Sequence, residues 1–516
     1  MPVDGLSSND DTYVGYLQAR IAYIRGDQLQ ALEQLEQLDY PGINPALHYR
    51  ILSFKHYILE TQGDSLASAQ LADQILRGTQ ADTAAAWKRS VWQNLERTDK
   101  QQLLTAFPNA ADPQWRGWLA LALINRQTDS EMQRELVQWR TENPGHPAAN
   151  PLPGGLDYLL APSTQNGKVA LILPLSGQLA QAGKAVLDGF LAAHYADDST
   201  GQATNELLVI DVGEFPSASN AYDEALREEA SIVVGPLSKE ALADLATRPE
   251  RPIPILALNR IDPILPAQGS ALVQLSLAPE DEAISVAELA FGRGARRAII
   301  ITPAGDWGSK VETALRERWG SLGGTIASNT TYSTYDDYSS SVTSALALDT
   351  SEQRASDLRT AIGINIEFTP RRRQDADAIF LLSHNGAEAR SIRPLLAFHY
   401  AGDLPVYAIS NIYNGIPDER NQDLNGIQLV ETPWLLGANP DLLAALATGD
   451  AKSGNYTRLN ALGADAYLVQ SNFLRLQSGA DALMRGNTGL LTLDPTLSIK
   501  RQLSPATFDA GVLKAQ

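Results

Sequence analysis

Polar and aromatic residues lie within a few positions after several short apolar runs from residue 169 onward. Ser176 follows Val169–Leu173, for example, and Trp307 follows Ala298–Thr302. In an open parallel sheet, loops and helix amino termini beyond the carboxyl ends of the strands present unpaired N–H groups to a ligand. The pattern therefore predicts either one ligand cleft or a set of helix caps. The candidate positions are Ser176, Gly177, Asn259, Asp306, Trp307, Ser410 and Asn411.

The residue patterns that support catalysis are missing. The chain has no cysteine and six scattered histidines without an HExxH pair, so thiol chemistry is excluded, and neither a metal nor another cofactor is expected. Ser176 and Ser238 lie in P-L-S-G and P-L-S-K, not in the G-x-S-x-G motif of a nucleophile. Gly292-Arg293-Gly294 lacks the third glycine of a dinucleotide fingerprint, and no P-loop occurs. The sequence predicts a protein that is not an enzyme.

One dense basic run, Arg371, Arg372 and Arg373, precedes a predicted buried strand. Blocks of charge are generally surface features, so a solvated loop is one interpretation. Contact with a partner protein is the other. On that interpretation, Arg372→Ala weakens partner binding without changing thermal stability.

Overall charge and hydropathy limit the possible partners. The chain has 516 residues with 60 acidic and 41 basic side chains, and its formal net charge of −19 disfavours nucleic acid and anionic lipid surfaces. Its apolar runs, such as Trp118 to Ile124, are shorter than the roughly 18 residues that a membrane span needs. A chain of this length is expected to fold as at least two units.

The residues up to about 142 show helical spacing of small and apolar side chains. Gly26-Asp27 and Gly63-Asp64 interrupt this pattern at a distance of 63 − 26 = 37 residues, near the roughly 34-residue period of tetratricopeptide hairpins. Glycine closes one helix in a left-handed conformation and aspartate caps the next. The pattern predicts tetratricopeptide-like hairpins over 1–142, and a generic helical bundle is the alternative.

Residues 143–167 are rich in proline and glycine, which predicts a linker between domains. Its leucines, Leu152, Leu156, Leu159 and Leu160, indicate that it docks on a surface. From residue 168 onward, apolar β-branched runs alternate with helical patterns, which predicts parallel sheets covered on both faces. Near the end, Gly489 to Leu493 and Leu497 to Leu503 flank Asp494-Pro495 and predict a hairpin. The expected fold class is thus α followed by α/β.

Several segments resemble known proteins. Val169 to Tyr195, with its Pro174-Leu175-Ser176-Gly177 loop, is similar to the first strand, loop and helix of type I periplasmic binding proteins. Ala376 to Gly415, followed by Asp423-Leu424-Asn425-Gly426 and Thr432-Pro433-Trp434, resembles the LppC family. Members of that family are outer-membrane lipoprotein activators of bifunctional penicillin-binding proteins, of the LpoA type. In them, a tetratricopeptide-like domain precedes a binding-protein-like domain.

The resemblance implies a two-lobed domain over 168–516, with lobe 1 at about 168–279 and 410–480 and lobe 2 at about 280–409 and 481–516. It further implies direct activation of a bifunctional class A penicillin-binding protein, contact with peptidoglycan, and a position in the periplasm on the inner face of the outer membrane. The family's lipid anchor needs a cysteine that this chain lacks, so we expect the anchor to precede residue 1, with Met1 as an added start.

The resemblance also adds two candidate site residues. Asp465 and Tyr467 occupy the place where amino-acid-binding relatives often hold the ligand's amine, although an aspartate at a helix amino terminus is also stabilised by the helix dipole. A second function therefore stays open. The protein would then be a periplasmic sensor or carrier that closes its lobes on an amino acid or a muropeptide.

Overall fold

Short helices joined by tight turns form the first part of the structure, a computed structural model that describes residues 8–39, 42–79, 81–127, 129–160, 167–198, 205–261, 268–364, 367–447, 456–478 and 482–516. The predicted helical pattern is confirmed, and α6, which the sequence patterns did not predict, is capped by Asp99. The helices are α1 (Ser8–Ile24), α2 (Gln28–Gln37), α3 (Pro45–Gln62), α4 (Ser65–Arg77), α5 (Ala81–Arg97), α6 (Lys100–Asn109), α7 (Pro113–Ile124) and α8 (Asp129–Glu142).

Both Gly-Asp turns have the predicted geometry. Gly26 and Gly63 adopt left-handed φ angles of 90° and 83°. Asp27 accepts the Gln30 N–H at 3.0 Å, and Asp64 accepts the Ala67 N–H at 3.2 Å. A residue with a side chain is strained at such a φ, and the carboxylate satisfies an N–H that the first turn leaves unpaired. The dipeptide therefore ends one helix and starts the next.

An α/β region follows the helices. Between 168 and 278 its elements are β1 (Lys168–Leu173), α9 (Ala180–Asp198), β2 (Leu207–Asp211), α10 (Ala218–Arg227), β3 (Ala230–Val234), α11 (Lys239–Ala246), β4 (Glu250–Arg251), β5 (Ile255–Ala257), β6 (Gln268–Gly269) and β7 (Leu272–Leu275). Between 279 and 432 they are α12 (Pro279–Gly292), β8 (Arg297–Pro303), α13 (Asp306–Leu322), β9 (Thr325–Tyr332), α14 (Tyr338–Ala345), α15 (Leu348–Ile362), β10 (Ala378–Leu381), α16 (Gly386–Phe398), β11 (Val406–Ala408) and β12 (Gln428–Glu431).

The last part of the chain contributes α17 (Pro440–Ala447), α18 (Thr457–Ser471), α19 (Phe473–Ser478), β13 (Leu483–Arg485), β14 (Leu490–Leu493), β15 (Ser498–Gln502), β16 (Ser504–Asp509) and β17 (Val512–Ala515). Strands β14 and β15 pair antiparallel, so the predicted hairpin around Asp494-Pro495 is confirmed. The sequence patterns did not predict the second hairpin, β16 and β17.

Two sheets carry the α/β region. The first has the order β13-β14-β15-β7-β5-β3-β1-β2, and the second has the order β17-β16-β12-β11-β10-β8-β9. Pairing is antiparallel for β13–β14, β14–β15, β12–β16 and β16–β17 and parallel between the other neighbours. Alternate residues of β1 pack into different cores: Leu171 belongs to one cluster and Ile172 to another. Both faces of this sheet are therefore covered, as the continuous apolar runs predicted.

The chain divides into two compact units, each built around one sheet. The first-sheet unit comprises Leu52–Ala278 and Pro433–Gln502. The second-sheet unit comprises the residues up to Ile51, Pro279–Thr432 and Leu503–Gln516. The chain thus leaves the second sheet after residue 432 and returns after 502, whereas the expected crossings were at 409/410 and 480/481. The reason is that β12 completes the parallel part of the second sheet and the β13–β15 strands extend the first.

The helices are shared between these units, because the boundary falls inside α3. In the second-sheet unit, Arg296 fastens the α1–α2 hairpin beside α12. Its guanidinium lies over the rings of Tyr23 and Phe291, 4.9 and 3.8 Å from their centroids, and donates to the Tyr23 carbonyl at 3.0 Å. Gln28 donates to the Phe291 carbonyl at 3.0 Å. The cation–π contacts of the buried Arg296 side chain help to hold the α1–α2 hairpin beside α12.

In the first-sheet unit, the linker packs against the remaining helices. Leu152 and Leu156 are buried in a cluster that includes Trp92 and Trp118, and Leu159 and Leu160 pack against it, so the predicted docking is confirmed. Arg475 donates to the Gly154 carbonyl at 2.9 Å. Linker residues 161–166 lie outside the described residues.

Candidate functional site

The loop after β1 is tied to the end of β2. The Asp211 carboxylate accepts the N–H groups of Leu175 at 2.9 Å and Gly213 at 3.0 Å, and it also hydrogen-bonds the Ser176 side chain. Burial raises the pKa of Asp211, but these hydrogen bonds outweigh it and hold the pKa below its usual value. Ser176 and Gly177 stay exposed at the carboxyl edge of the first sheet. Their role in binding remains a prediction.

Asn259 has a structural role at the end of β5. Its side-chain amide donates to the Leu237 carbonyl at 2.8 Å, and its side-chain oxygen accepts the Arg260 N–H at 2.9 Å. These bonds join the loops after two neighbouring strands. Of the two interpretations of the sequence pattern, Asn259 fits the structural one.

The expectation that Asp465 lies at a helix amino terminus is wrong, because α18 begins at Thr457. Its side chain is fully buried and accepts from the backbone and side chains of Asn487 and Thr488. Burial raises the pKa of Asp465, and the same hydrogen bonds oppose that rise. The carboxylate therefore shapes the turn between β13 and β14 and is closed to a ligand amine.

Tyr467, two residues further along α18, lines an open groove. Its ring meets those of Phe190 and His194 edge-on, with centroids 5.4 and 5.7 Å away. The groove has a volume of about 880 Å³ and lies among α9, α17, α18 and β13; Leu191 and Leu442 are among its apolar residues. Ser176, Gly177 and Asn259 do not line it, so Tyr467 belongs to a different surface of this unit.

In the second-sheet unit, three loops bring candidate residues together at the carboxyl ends of β8, β10 and β11. The ring of Trp307 lies over that of His384, with 4.7 Å between centroids and an interplanar angle of 37°. The side chain of Asn411 donates to the His384 carbonyl at 3.4 Å. His384 is exposed and Trp307 is partly buried. This cluster presents an aromatic surface with polar groups beside it.

The other two candidates of this unit differ in accessibility. Asp306 is the exposed first residue of α13, preceded by Gly305 with a φ of 107°. Ser410 is only 1% exposed, and its N–H donates to the buried Glu282 carboxylate at 2.9 Å. Ser410 therefore holds the end of β11 in place, while Asp306 remains open to solvent.

Glu388 organises this cluster, and the sequence patterns did not single it out. Its carboxylate accepts the Tyr332 hydroxyl at 2.7 Å and the His384 N–H at 3.0 Å, and it lies 3.3 Å from the His384 ring nitrogen Nδ1. Burial raises the pKa of Tyr332, which therefore stays a hydrogen-bond donor. Asn385 caps α16, and Glu388 stands three residues later, a helix-start pattern that could have located the cluster.

The side chains of Arg371, Arg372 and Arg373 differ in the contacts they make. Arg372 donates to the Tyr400 carbonyl at 2.7 Å and to the Asp403 carboxylate at 2.6 Å. Arg373 pairs with Asp375 in a bidentate contact that lowers the pKa of Asp375 to about 2. Arg371 is exposed and has no ion pair among the described residues. Because Arg372 is engaged within the fold, the expectation that Arg372→Ala leaves thermal stability unchanged does not fit the structure.

Among the described residues, no group of three or more metal-ligating side chains lies together. Within the same residues, no helix is both long and apolar enough to cross a bilayer. The Trp307–His384 cluster can stack on a planar or apolar group and offers polar contacts around it.

The fold and these surfaces define a protein of the periplasmic-binding-protein type with added helices. A solved structure from Chromobacterium violaceum, described as a branched-chain amino acid ABC transporter protein, matches with a TM-score of 0.50 and 25% identity and covers 66% of this chain and 100% of its own.

The chain belongs to the LppC lipoprotein family, whose model matches residues 1–511. A relative from Photobacterium profundum, named penicillin-binding protein activator LpoA, is 26% identical over 504 residues, which are 95% of this chain and 81% of that protein. The crystal structure of full-length LpoA from Haemophilus influenzae matches with a TM-score of 0.54 and 22% identity and covers 100% of this chain and 90% of its own. The expected family and fold class are confirmed.

Proposed function

We propose that this protein activates a bifunctional class A penicillin-binding protein by direct contact and so stimulates peptidoglycan synthesis and crosslinking. The observation that carries the proposal is the family match over residues 1–511, together with the activator name of a relative aligned over 95% of the chain. Catalysis then belongs to the partner, and this protein supplies a binding surface.

The proposed location is the periplasm, on the inner face of the outer membrane, where a lipid anchor holds the protein and peptidoglycan lies within reach. The LppC family is a lipoprotein family, which supports an envelope position. Fractionation of cells of the source organism tests this proposal. Recovery in the outer-membrane fraction is expected, and recovery in the cytoplasm alone would exclude it.

Attachment of the helices at both units supports a scaffolding role. The α1–α2 hairpin is fixed in the second-sheet unit by Arg296, and the linker is fixed in the first-sheet unit through Arg475. Each unit therefore combines amino-terminal helices with an α/β body. A unit built in this way can offer both helices and loops to a protein partner.

A reconstituted crosslinking assay tests the activator function. A purified bifunctional penicillin-binding protein from the same organism is given lipid-linked peptidoglycan precursor, with and without the full chain. The crosslinked fraction of the product is expected to rise several-fold. An unrelated periplasmic amino-acid-binding protein at equal concentration is the control, and it should give no increase. Absence of both stimulation and complex formation would rule the proposal out.

A second candidate function is the binding of a small ligand, an amino acid or a muropeptide, by the second-sheet unit. The observation that favours it is the pair of Trp307 and His384 rings, with 4.7 Å between centroids and a tilt of 37°, at the carboxyl ends of the strands. Thermal unfolding with a panel of amino acids and muropeptides tests this function. A shift in Tm that Trp307→Ala abolishes would support it, and the absence of any shift would argue against it.

A further inference from the structure

The outer face of α1 carries a row of exposed apolar side chains, which we call the α1 stripe. The helix already buries one apolar face, because Tyr16, Ala19 and Tyr23 belong to the core of the second-sheet unit. A helix that is apolar on two faces is expected to be covered on both. The stripe lies on the opposite face and is 36% to 65% exposed; its residues are Val14, Leu17, Ile21 and Ile24.

The spacing of the α1 stripe is that of a coiled-coil seam. Its four residues follow one another at intervals of three, four and three positions. Side chains at this spacing stay on one side of a helix and interlock with a second helix that carries the same pattern. The stripe therefore fits an α-helix with an apolar row of its own.

The two ends of the α1 stripe carry opposite charges on the same flank. Asp11 lies at the start of α1, and Arg25 lies directly after its end, where the Arg25 N–H still donates to the Ile21 carbonyl at 3.1 Å. Both side chains are exposed, and neither has an ion pair within the part of the chain that the structure describes. Arg20, on the other flank, lies over its own Tyr16 ring, 5.9 Å from the centroid.

A second copy of α1 complements this pattern when the two helices run antiparallel. If Leu17 lies opposite Ile21 of the second copy, Val14 lies opposite Ile24, and twofold symmetry repeats both contacts. Asp11 of each copy then comes beside Arg25 of the other, and charges that flank such a seam set its orientation. A parallel pair would instead bring the two Asp11 side chains to the same end and align the two helix dipoles, so it is disfavoured.

We propose that the α1 stripe is a self-association surface, through which two copies of this protein pair in an antiparallel, twofold-symmetric contact. The inference goes beyond the activator function and does not depend on it. Four apolar side chains from each copy make a small interface, so the pairing is expected to be weak and concentration-dependent.

Sedimentation velocity of the full chain over a wide range of protein concentration tests the proposal. Leu17→Glu and Ile21→Glu each place a charge in the seam and are expected to raise the dimer Kd by roughly tenfold or more. Their Tm should stay unchanged, because both side chains are exposed. Leu358→Glu is the matched control, since Leu358 is 49% exposed on α15 of the same unit. It should associate like the unchanged protein.

Charge exchange tests the antiparallel orientation. Asp11→Arg sets an arginine beside Arg25 of the other copy, and Arg25→Asp sets two carboxylates side by side, so each change should weaken association, most at low salt. The double variant restores opposite charges and should recover the affinity. A parallel pair would not recover in this way.

The proposal is excluded if the chain sediments as one copy at every concentration, or if Leu17→Glu associates as strongly as the unchanged protein. It also falls if the double charge variant associates no better than the two single ones. A chain that stays single, but loses binding to the penicillin-binding protein in the Leu17→Glu variant, would assign the stripe to that partner instead. The crosslinking assay tests the activator function separately, whatever the state of association.

Discussion

The candidate polar residues of the two units differ in how their side chains are engaged. In the first-sheet unit, the side chains of Asn259 and Asp465 are hydrogen-bonded to neighbouring backbone groups. In the second-sheet unit, Trp307 and His384 lie against each other and remain at least partly exposed. A polar side chain is therefore open to a ligand only where it is not already hydrogen-bonded within the fold.

The largest effect is expected for Asp465→Ala in the first-sheet unit. The change leaves the buried donors of Asn487 and Thr488 without their acceptor, which should lower the free energy of unfolding by roughly 3–5 kcal/mol. Urea unfolding followed by tryptophan fluorescence measures it. Asp465→Asn keeps the side-chain volume and should recover part of the loss. A loss below about 1 kcal/mol would show that this carboxylate is not structural.

An intermediate effect is expected for Tyr332→Phe in the second-sheet unit. It removes the hydroxyl that donates to Glu388 at 2.7 Å, and about 1–2 kcal/mol of unfolding free energy should be lost. Tyr335→Phe, at an exposed position, is the matched control and should leave the unfolding free energy unchanged. Equal losses of unfolding free energy in the two variants would mean that the hydrogen bond from Tyr332 to Glu388 does not stabilise the fold.

Acid should weaken the helices of the first-sheet unit. Burial lowers the pKa of both His56 and His146 below the usual 6.5. The unfolded chain therefore binds more protons than the folded one below pH 6.5, so stability is full above that pH and is lost as the pH falls toward the folded pKa values. Chemical unfolding between pH 7.5 and about pH 5 measures the decrease, and His56→Gln should flatten it. If the stability of the His56→Gln variant falls with pH as steeply as that of the unchanged protein, His56 does not contribute to the pH dependence.

The smallest effect on stability is expected for Trp307→Ala. Because the ring is only partly buried, the free energy of unfolding should change by no more than about 0.5–1 kcal/mol. Calorimetry without ligand measures it. A much larger loss would show that Trp307 supports the fold as Asp465 does, and the contrast between the two sheets would disappear.

Features fixed by neighbouring residues could be predicted from the sequence. The Gly-Asp turns and the hairpin at Asp494-Pro495 depend on local backbone requirements, and both are confirmed. The helix position of Asp465 could not be found, because α18 begins without a side-chain cap. The contact of Arg296 with Tyr23 could not be predicted either, because it joins residues 273 positions apart. The contact between the Trp307 and His384 rings likewise depends on which strands become neighbours in the sheet.

The boundary inside α3 has a consequence for how the molecule can be divided. A fragment cut at the linker would take Tyr23 and Gln28 away from Phe291 and Arg296 and leave an aromatic face and a guanidinium uncovered. The amino-terminal helices therefore do not form an independent domain that could be transferred intact to another protein. Only a fragment that keeps the α1–α2 hairpin together with the second sheet would preserve these contacts.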